Sequence, residues 1–152
     1  TLWSKFAEMD EAPKKLVVLG GGPIGSELAQ SFARLGSNVT QIEMAERIMI
    51  KEDLEVSTFA HEALTESGVN ILTSHQALRC EARDGKKFII VKCLSNNEGK
   101  DKEVEIEYDE LLCAVGRSAR LKGYGLEELG IETNRTVVTK LHVLNLKSLI
   151  VQ

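Results

Sequence analysis

Residues 15–43 read KLVVLGGGPIGSELAQSFARLGSNVTQIE, and this stretch decides the fold. Leu16-Val17-Val18-Leu19 is a continuous apolar run of strand length that ends at Gly20-Gly21-Gly22. A run without polar alternation suits a parallel strand covered on both faces. After Pro23, the residues Ile24, Leu28, Phe32 and Leu35 recur at helical spacing, with Ala29 and Ala33 beside them and Gly36 as a C-terminal stop. Val39 to Glu43 reads as the next strand. Gly20-Gly21-Gly22-Pro23-Ile24-Gly25 is therefore a G-x-G-x-x-G set between a strand and a helix. The first glycine permits the tight turn, the second lets backbone approach a pyrophosphate, and Gly25 allows helix and strand to pack closely. The helix N-terminus offers unpaired N–H groups and a positive dipole end to the phosphate charge. Pro23 suits the first turn, where its missing N–H is not needed. Glu43 ends the second strand 18 positions past Gly25, close to the ~20 expected for a carboxylate that holds ribose hydroxyls.

Working outward, residues 1–15 form a mixed lead-in containing Pro13, with Trp3 and Phe6 as candidate anchors. Asp53 is placed to cap a second helix, in which Val56, Phe59, Ala60, Ala63 and Leu64 make an apolar stripe that Gly68 ends. Val69 to Leu72 is a third strand, so the order to this point is β-α-β-α-β, the signature of a parallel sheet. The pattern then changes. Leu78 to Arg83, the turn pair Asp84-Gly85, and Phe88 to Leu94 predict an antiparallel hairpin. After a polar loop from Ser95 to Lys102, Val104, Ile106 and Tyr108 alternate with Glu103, Glu105 and Glu107 like a half-exposed strand. Leu111 to Val115 returns to the buried parallel type and ends at Gly116-Arg117. Beyond it lie a short turn around Leu126 and Leu129 and strand-like Val137-Val138 and Leu149 to Val151. The expected fold class is α/β: a Rossmann-like parallel sheet flanked by helices, with an inserted three-stranded antiparallel meander on one face. The expected division is a lead-in over 1–15, a nucleotide-binding domain over 16–118 and a return segment over 119–152.

Composition sets the outer limits. The 152 residues, 43% hydrophobic and 28% charged, suit one globular domain and exclude disordered, collagenous and coiled-coil classes. No apolar run approaches the roughly 20 residues of a membrane span, and no signal-peptide pattern opens the chain. A net charge of −4 without a dense Lys/Arg cluster argues against nucleic acid and anionic membrane as partners. The odd set Cys80, Cys93 and Cys113 is no disulfide framework, and a reducing, cytoplasmic setting is expected. Each cysteine falls on a predicted strand, where a small buried hydrophobe is the expected role. His61, His75 and His142 lack ligand spacing, so no metal site is expected. The row of glutamates reads as one solvated strand face, and no nucleophile-elbow motif supports Ser-His-Asp chemistry.

Glu43 also bears on cofactor choice. A carboxylate accepts hydrogen bonds from two ribose hydroxyls but repels a 2′-phosphate, so NAD(H) is expected over NADP(H) unless Arg47 swings in to compensate. A methyltransferase also places a glycine loop before a helix and an acid after the next strand. The meander and the Gly116-Arg117 exit favour the dinucleotide reading over that one.

With these features placed, the sequence resembles the nicotinamide-binding domain of the FAD-dependent pyridine nucleotide-disulfide oxidoreductases, the mercuric reductase and dihydrolipoamide dehydrogenase group in particular. Residues 15–43, ERIMIKEDLEVS at 46–57 and AVGR at 114–117 carry the likeness, which extends over residues 1 to about 120 and more loosely to 152. The resemblance implies hydride transfer from NAD(P)H to FAD and on to a disulfide or another acceptor. Gly20, Gly21, Gly22, Pro23, Ile24 and Gly25 would cradle the pyrophosphate and Glu43 would hold the adenosine ribose. Glu27 would lie near nicotinamide and flavin, and Gly116 beside the nicotinamide-side ribose. Partners implied are FAD-binding and dimerisation domains of a parent protein.

The departures are as telling. The family's C-x-x-x-x-C redox pair is absent, the three cysteines being 13 and 20 apart. Also missing are the FAD domain's own glycine motif, the C-terminal His-Pro and Glu segment, and the flavin-contacting Gly-Asp. The start at Thr1 and the end at Leu149-Ile150-Val151-Gln152 carry the expectation of an excised insert, binding NAD(H) without flavin and inactive alone. The alternative is a stand-alone NAD(H)-sensing or regulatory module without catalysis. The electron acceptor is chosen by domains outside this chain, so fold alone licenses no substrate.

Overall fold

The apolar run at residues 16–19 becomes the middle of a parallel sheet. The computed structural model describes residues 10–95, 102–116, 123, 125–126 and 128–131. Strand β1 (Lys15–Leu19) pairs in parallel with β2 (Asn38–Ile42) and with β7 (Glu110–Cys113), and β3 (Asn70–Leu72) adds outside β2. The order is β3-β2-β1-β7. Helix α1 (Pro23–Arg34) links β1 to β2, and α2 (Leu54–Glu66) links β2 to β3, the crossovers that parallel neighbours require. The predicted alternation is what folds.

Both faces of β1 are covered, which is why its sequence shows no polar alternation. Leu16 and Val18 face a core shared with Val39 and Leu112 of the sheet, Ala29 and Phe32 of α1, and Leu64 of α2. Val17 faces the opposite way, into a second core with Ile42, Ile89, Val91 and Tyr108. The last three belong to the antiparallel sheet β4-β5-β6, made of β4 (His75–Arg83), β5 (Lys86–Cys93) and β6 (Glu103–Tyr108). The layers are therefore helices, parallel sheet and antiparallel meander. Asp84 and Gly85 turn the hairpin with φ of 53° and 74°, the positive pair that a two-residue type I′ turn needs. Burial pushes the Tyr108 phenol up to about 12, and a hydrogen bond with Cys80 adds to it.

The glutamate row does face solvent, and it is paired. Glu103 meets Arg79 at 3.1 Å, Glu105 meets Arg83, and Glu107 meets both Lys15 at 2.9 Å and Lys86 at 3.1 Å. Lys15 lies on β1, so Glu107 bridges the two sheets. Lys15, together with Lys86, holds the Glu107 carboxyl below the usual carboxylate range, and Glu107 holds the Lys15 ammonium above its own. The carboxylate's contribution is thus lost as pH falls through its depressed value, and the ammonium's as pH rises through its raised one.

Several expectations need correction. The stripe on α2 is not wholly buried: Leu64 is, Ala60 is partly so, but Val56, Phe59 and Ala63 face solvent, Phe59 at 71% exposure. Helix α2 leans on α1 through a narrow line, Gln30 Nε2 donating to Ser67 Oγ at 3.1 Å, and Ser57 takes the buried place beside Leu64. Asp53 occupies the N-cap of α2, yet its side chain makes no capping hydrogen bond. Strand β3 starts at Asn70, and β4 starts early, at His75, because His75 already pairs with Cys93. On β6 the inward face fades, with Tyr108 buried and Val104 38% exposed. The cysteines lie on strands as predicted but are not core residues: Cys80 and Cys113 are exposed and Cys93 is partly buried. Among the described residues, the two exposed ones sit on strands at the ends of their sheets, β4 and β7.

The chain divides into two units, residues 1–115 and 116–152. In the second, Leu129 N–H donates to Gly125 O at 3.1 Å and Ile131 N–H to Leu126 O at 2.9 Å, which forms the predicted short turn. Trp3, Phe6, Arg117, Val137-Val138 and Leu149 to Val151 lie outside the described residues. No helix among the described residues is long and apolar enough to cross a membrane.

The layer assignment is testable by a pair of truncations. Ile89→Ala, deep in the seam between sheets, is expected to cost about 2–5 kcal/mol in denaturant unfolding. Phe59→Ala should stay within about 0.5 kcal/mol of the parent. Comparable losses from both would show that the outer face of α2 is packed.

Candidate functional site

The site forms where β1 hands over to α1. Gly20 has φ of +105°, and a Cβ there would stand 2.5 Å from the Ala114 carbonyl oxygen, so only glycine fits. A Cβ on Gly25 would run into the Gly20 carbonyl oxygen and reach within 3.3 Å of Ala114 Cβ. Helix and strand therefore touch through hydrogen atoms alone. At Gly22 a Cβ would meet nothing within 4 Å, which leaves that backbone open on its outer side. Gly21, at the unconstrained position of the motif, has its own cause: a Cβ there would lie 2.9 Å from both Glu43 Cγ and Ile48 Cγ2.

The loop's polar groups divide into two sets. One set is spent on β2 and the segment after it. Gly20 N–H donates to Ile42 O at 2.8 Å, and Gly21 O accepts from Met49 N–H at 2.7 Å. Gly21 N–H donates to Glu43 Oε2 at 2.5 Å, and Gly20 O accepts from Gln41 Nε2 at 3.0 Å. The other set is unspent. Pro23 occupies the first turn of α1 without an N–H, and the first helical bond runs from Ser26 N–H to Gly22 O at 3.0 Å. Among the described residues, the N–H groups of Gly22, Ile24 and Gly25 have no acceptor. Three donors at a helix N-terminus, beside an open glycine and at the positive dipole end, make an anion cradle. Glu27 is exposed one turn further along α1, its backbone carbonyl accepting from Ser31 Oγ at 2.7 Å.

Glu43 follows β2, half-buried, with its carboxylate aimed back at the loop. Beyond the Gly21 bond, Oε1 accepts from Ala45 N–H at 2.7 Å. Each oxygen keeps a second lone pair, and an ionised carboxylate only accepts, so hydroxyl donors are the ligand groups it suits. The segment after it is held in place from several sides. Ile48 is fully buried beneath Gly21, and Ser57 Oγ on α2 donates to Ile48 O at 2.7 Å. Arg47 donates to Met49 O at 3.1 Å, Ile50 O at 3.1 Å and Glu52 O at 3.0 Å. Its guanidinium is committed to this loop.

Gln41 is the residue that sequence reasoning missed. It lies on the α1 side of the sheet, opposite Val18, with 0% exposure. Its Nε2 donates to Gly20 O and, at 3.1 Å, to Ser26 Oγ, while Oε1 is buried with no partner. Leaving such an oxygen unpaired costs about 1–3 kcal/mol. The available signal was an amide on the same face as Val39, in a strand flanked by two others.

The remaining predicted residues stand apart. Gly116, with φ of +133°, opens the second unit of the chain. His61 is exposed, and His75 Nδ1 lies 2.6 Å from Thr73 O. No group of three potential metal ligands exists among the described residues.

The comparisons with known proteins agree with one another. A family model described as pyridine nucleotide-disulphide oxidoreductase matches residues 4–143. The dihydrolipoyl dehydrogenase of Bacillus subtilis is 39% identical over 124 residues, covering 82% of this chain and 25% of that protein. The mercuric reductase of Streptomyces lividans is 36% identical over 126 residues, covering 83% and 25%. Among solved structures, the Cu(II) complex of the HOCl-induced flavoprotein disulfide reductase RclA from Escherichia coli superposes with a TM-score of 0.71. It is 27% identical, and the match covers 88% of this chain and 28% of that one. The chain spans about a quarter of the length of the relatives it matches. An α/β fold with this glycine loop, matched along nearly its whole length by one family model, belongs to the pyridine nucleotide-disulphide oxidoreductase family.

Proposed function

We propose that this chain is the NAD(H)-binding domain of a flavoprotein oxidoreductase, in which nicotinamide passes hydride to an FAD held by other domains and the electrons continue to a disulfide or another acceptor. The observation that carries the reading is the cradle formed by the N–H groups of Gly22, Ile24 and Gly25, with no acceptor of their own. Three donors left over at a helix end suit the oxygens of a pyrophosphate. Glu43, one peptide away, accepts the adenosine ribose hydroxyls on its spare lone pairs. Bound NADH supplies the hydride; this chain's residues bind and orient it. Glu27, exposed on the next turn of α1, is the residue of this chain proposed to approach the nicotinamide, and Gly116 its ribose.

The same geometry supports NAD(H) over NADP(H). A 2′-phosphate would sit against the Glu43 carboxylate. At about 4 Å and an effective dielectric of 20, each unit of like charge costs about 4 kcal/mol before salt screening. Arg47, the nearest candidate for compensation in the sequence, already donates to three carbonyls. Releasing it for a phosphate would unfasten the loop that seats Ile48 under Gly21.

Titration of the purified 152-residue chain with NADH, NADPH and S-adenosylmethionine tests the assignment. NADH should bind most tightly; tighter binding of either competitor would overturn it. Glu43→Ala should weaken NADH by about tenfold, the worth of one charge-assisted hydrogen bond, while narrowing the gap to NADPH. Unchanged selectivity in that variant would remove Glu43 from the ribose site.

A further inference from the structure

The carbonyl of Gly20 and the N–H of Gly21 are the two poles of one peptide unit. Gln41 Nε2 holds the first at 3.0 Å and Glu43 Oε2 holds the second at 2.5 Å. Gln41 lies on β2 and Glu43 just past its end, two positions on, so the alternation of extended chain brings both to the loop side. A glycine stands on each side of this peptide, so its backbone angles are lightly restricted, and these two side chains are the hydrogen-bond partners that hold it against a flip. The amide orientation is fixed by chemistry. Gly20 O can only accept, so the amide nitrogen must face it, and Oε1 is turned away into a place without a donor.

Core packing does not account for a glutamine here. Position 41 joins the face of Val18, Val39 and Ile71, where an apolar side chain would pack without an orphan oxygen. What the glutamine adds is the pair of N–H bonds, one to the loop and one to Ser26 Oγ in the first turn of α1. Ser26 is buried, so the amide ties the loop to the helix from below.

We propose that Gln41 is a positioning residue for the dinucleotide: with Glu43 it clamps the Gly20–Gly21 peptide, and this sets the direction of the Gly22, Ile24 and Gly25 donors. The inference rests on the NAD(H)-binding reading above, but its structural half is independent of it. With the clamp in place, Gly21 N–H is committed to Glu43 before any ligand arrives, and the cradle needs no rearrangement on binding.

Gln41→Met keeps the length and volume of the side chain and removes both donors; Ser26→Ala removes only the helix-side bond. Three quantities are read on the full chain: the NADH dissociation constant, the exchange rate of the Gly21 amide hydrogen, and the melting temperature. Gln41→Met should weaken NADH by about tenfold and speed Gly21 exchange by a similar factor, with a melting temperature at or above that of the parent. Ser26→Ala should move the first two in the same direction by a smaller factor. A lowered melting temperature with unchanged NADH affinity and unchanged Gly21 exchange would make Gln41 a packing residue and overturn the proposal. Should the parent chain itself fail to bind NADH, the nucleotide reading falls, and Gly21 exchange still decides whether the clamp exists.

Discussion

Helix α1 begins where it does because nothing larger than hydrogen separates Gly25 from the carbonyl of Gly20. That contact sets the helix end close above the end of β1 and beside Ala114, just past β7. A methyl group at either glycine would push the helix away and carry its N-terminal donors with it. Much else in the first unit serves this one approach. Val17 and Val18 anchor β1 from both faces, and Phe32 and Ala29 hold α1 against the sheet. The segment after β2 folds back so that Met49 and Ile48 close over Gly21.

The division of the loop's hydrogen bonds follows from the same constraint. A strand-to-helix turn exposes backbone donors and acceptors that must find partners or water. Here the groups on the β2 side find Ile42, Gln41, Glu43 and Met49, while those facing outward find none. Polar satisfaction on one side and availability on the other is what suits the turn to an anion. The paired charges on the meander's outer face are the contrast, since there each glutamate already has its cation.

The parallel sheet, its two helices and the inserted meander were legible in the sequence because each rests on local pattern: apolar runs, helical spacing, the Asp84-Gly85 turn. The close packing at Gly20 and Gly25 was legible too, because a Cβ at either position would run into backbone. What escaped was whatever depends on how far a face is covered. Val56, Phe59 and Ala63 share a stripe with Leu64, but only a narrow line of α2 meets α1. Cys80 and Cys113 are on strands, but at the ends of the described sheets, which no periodicity reveals. The bonds of Gln41 and Arg47 escaped as well, because their partners include backbone carbonyls, which are the same in every sequence. The chain spans about a quarter of the length of the curated relatives it matches.

Amide hydrogen exchange reads the three backbone donors of the loop one by one. On adding saturating NADH, exchange at Gly22, Ile24 and Gly25 should slow markedly. Gly21, already bonded to Glu43, should change little. Saturation by NADH with those three amides unaltered would contradict the cradle as the pyrophosphate site.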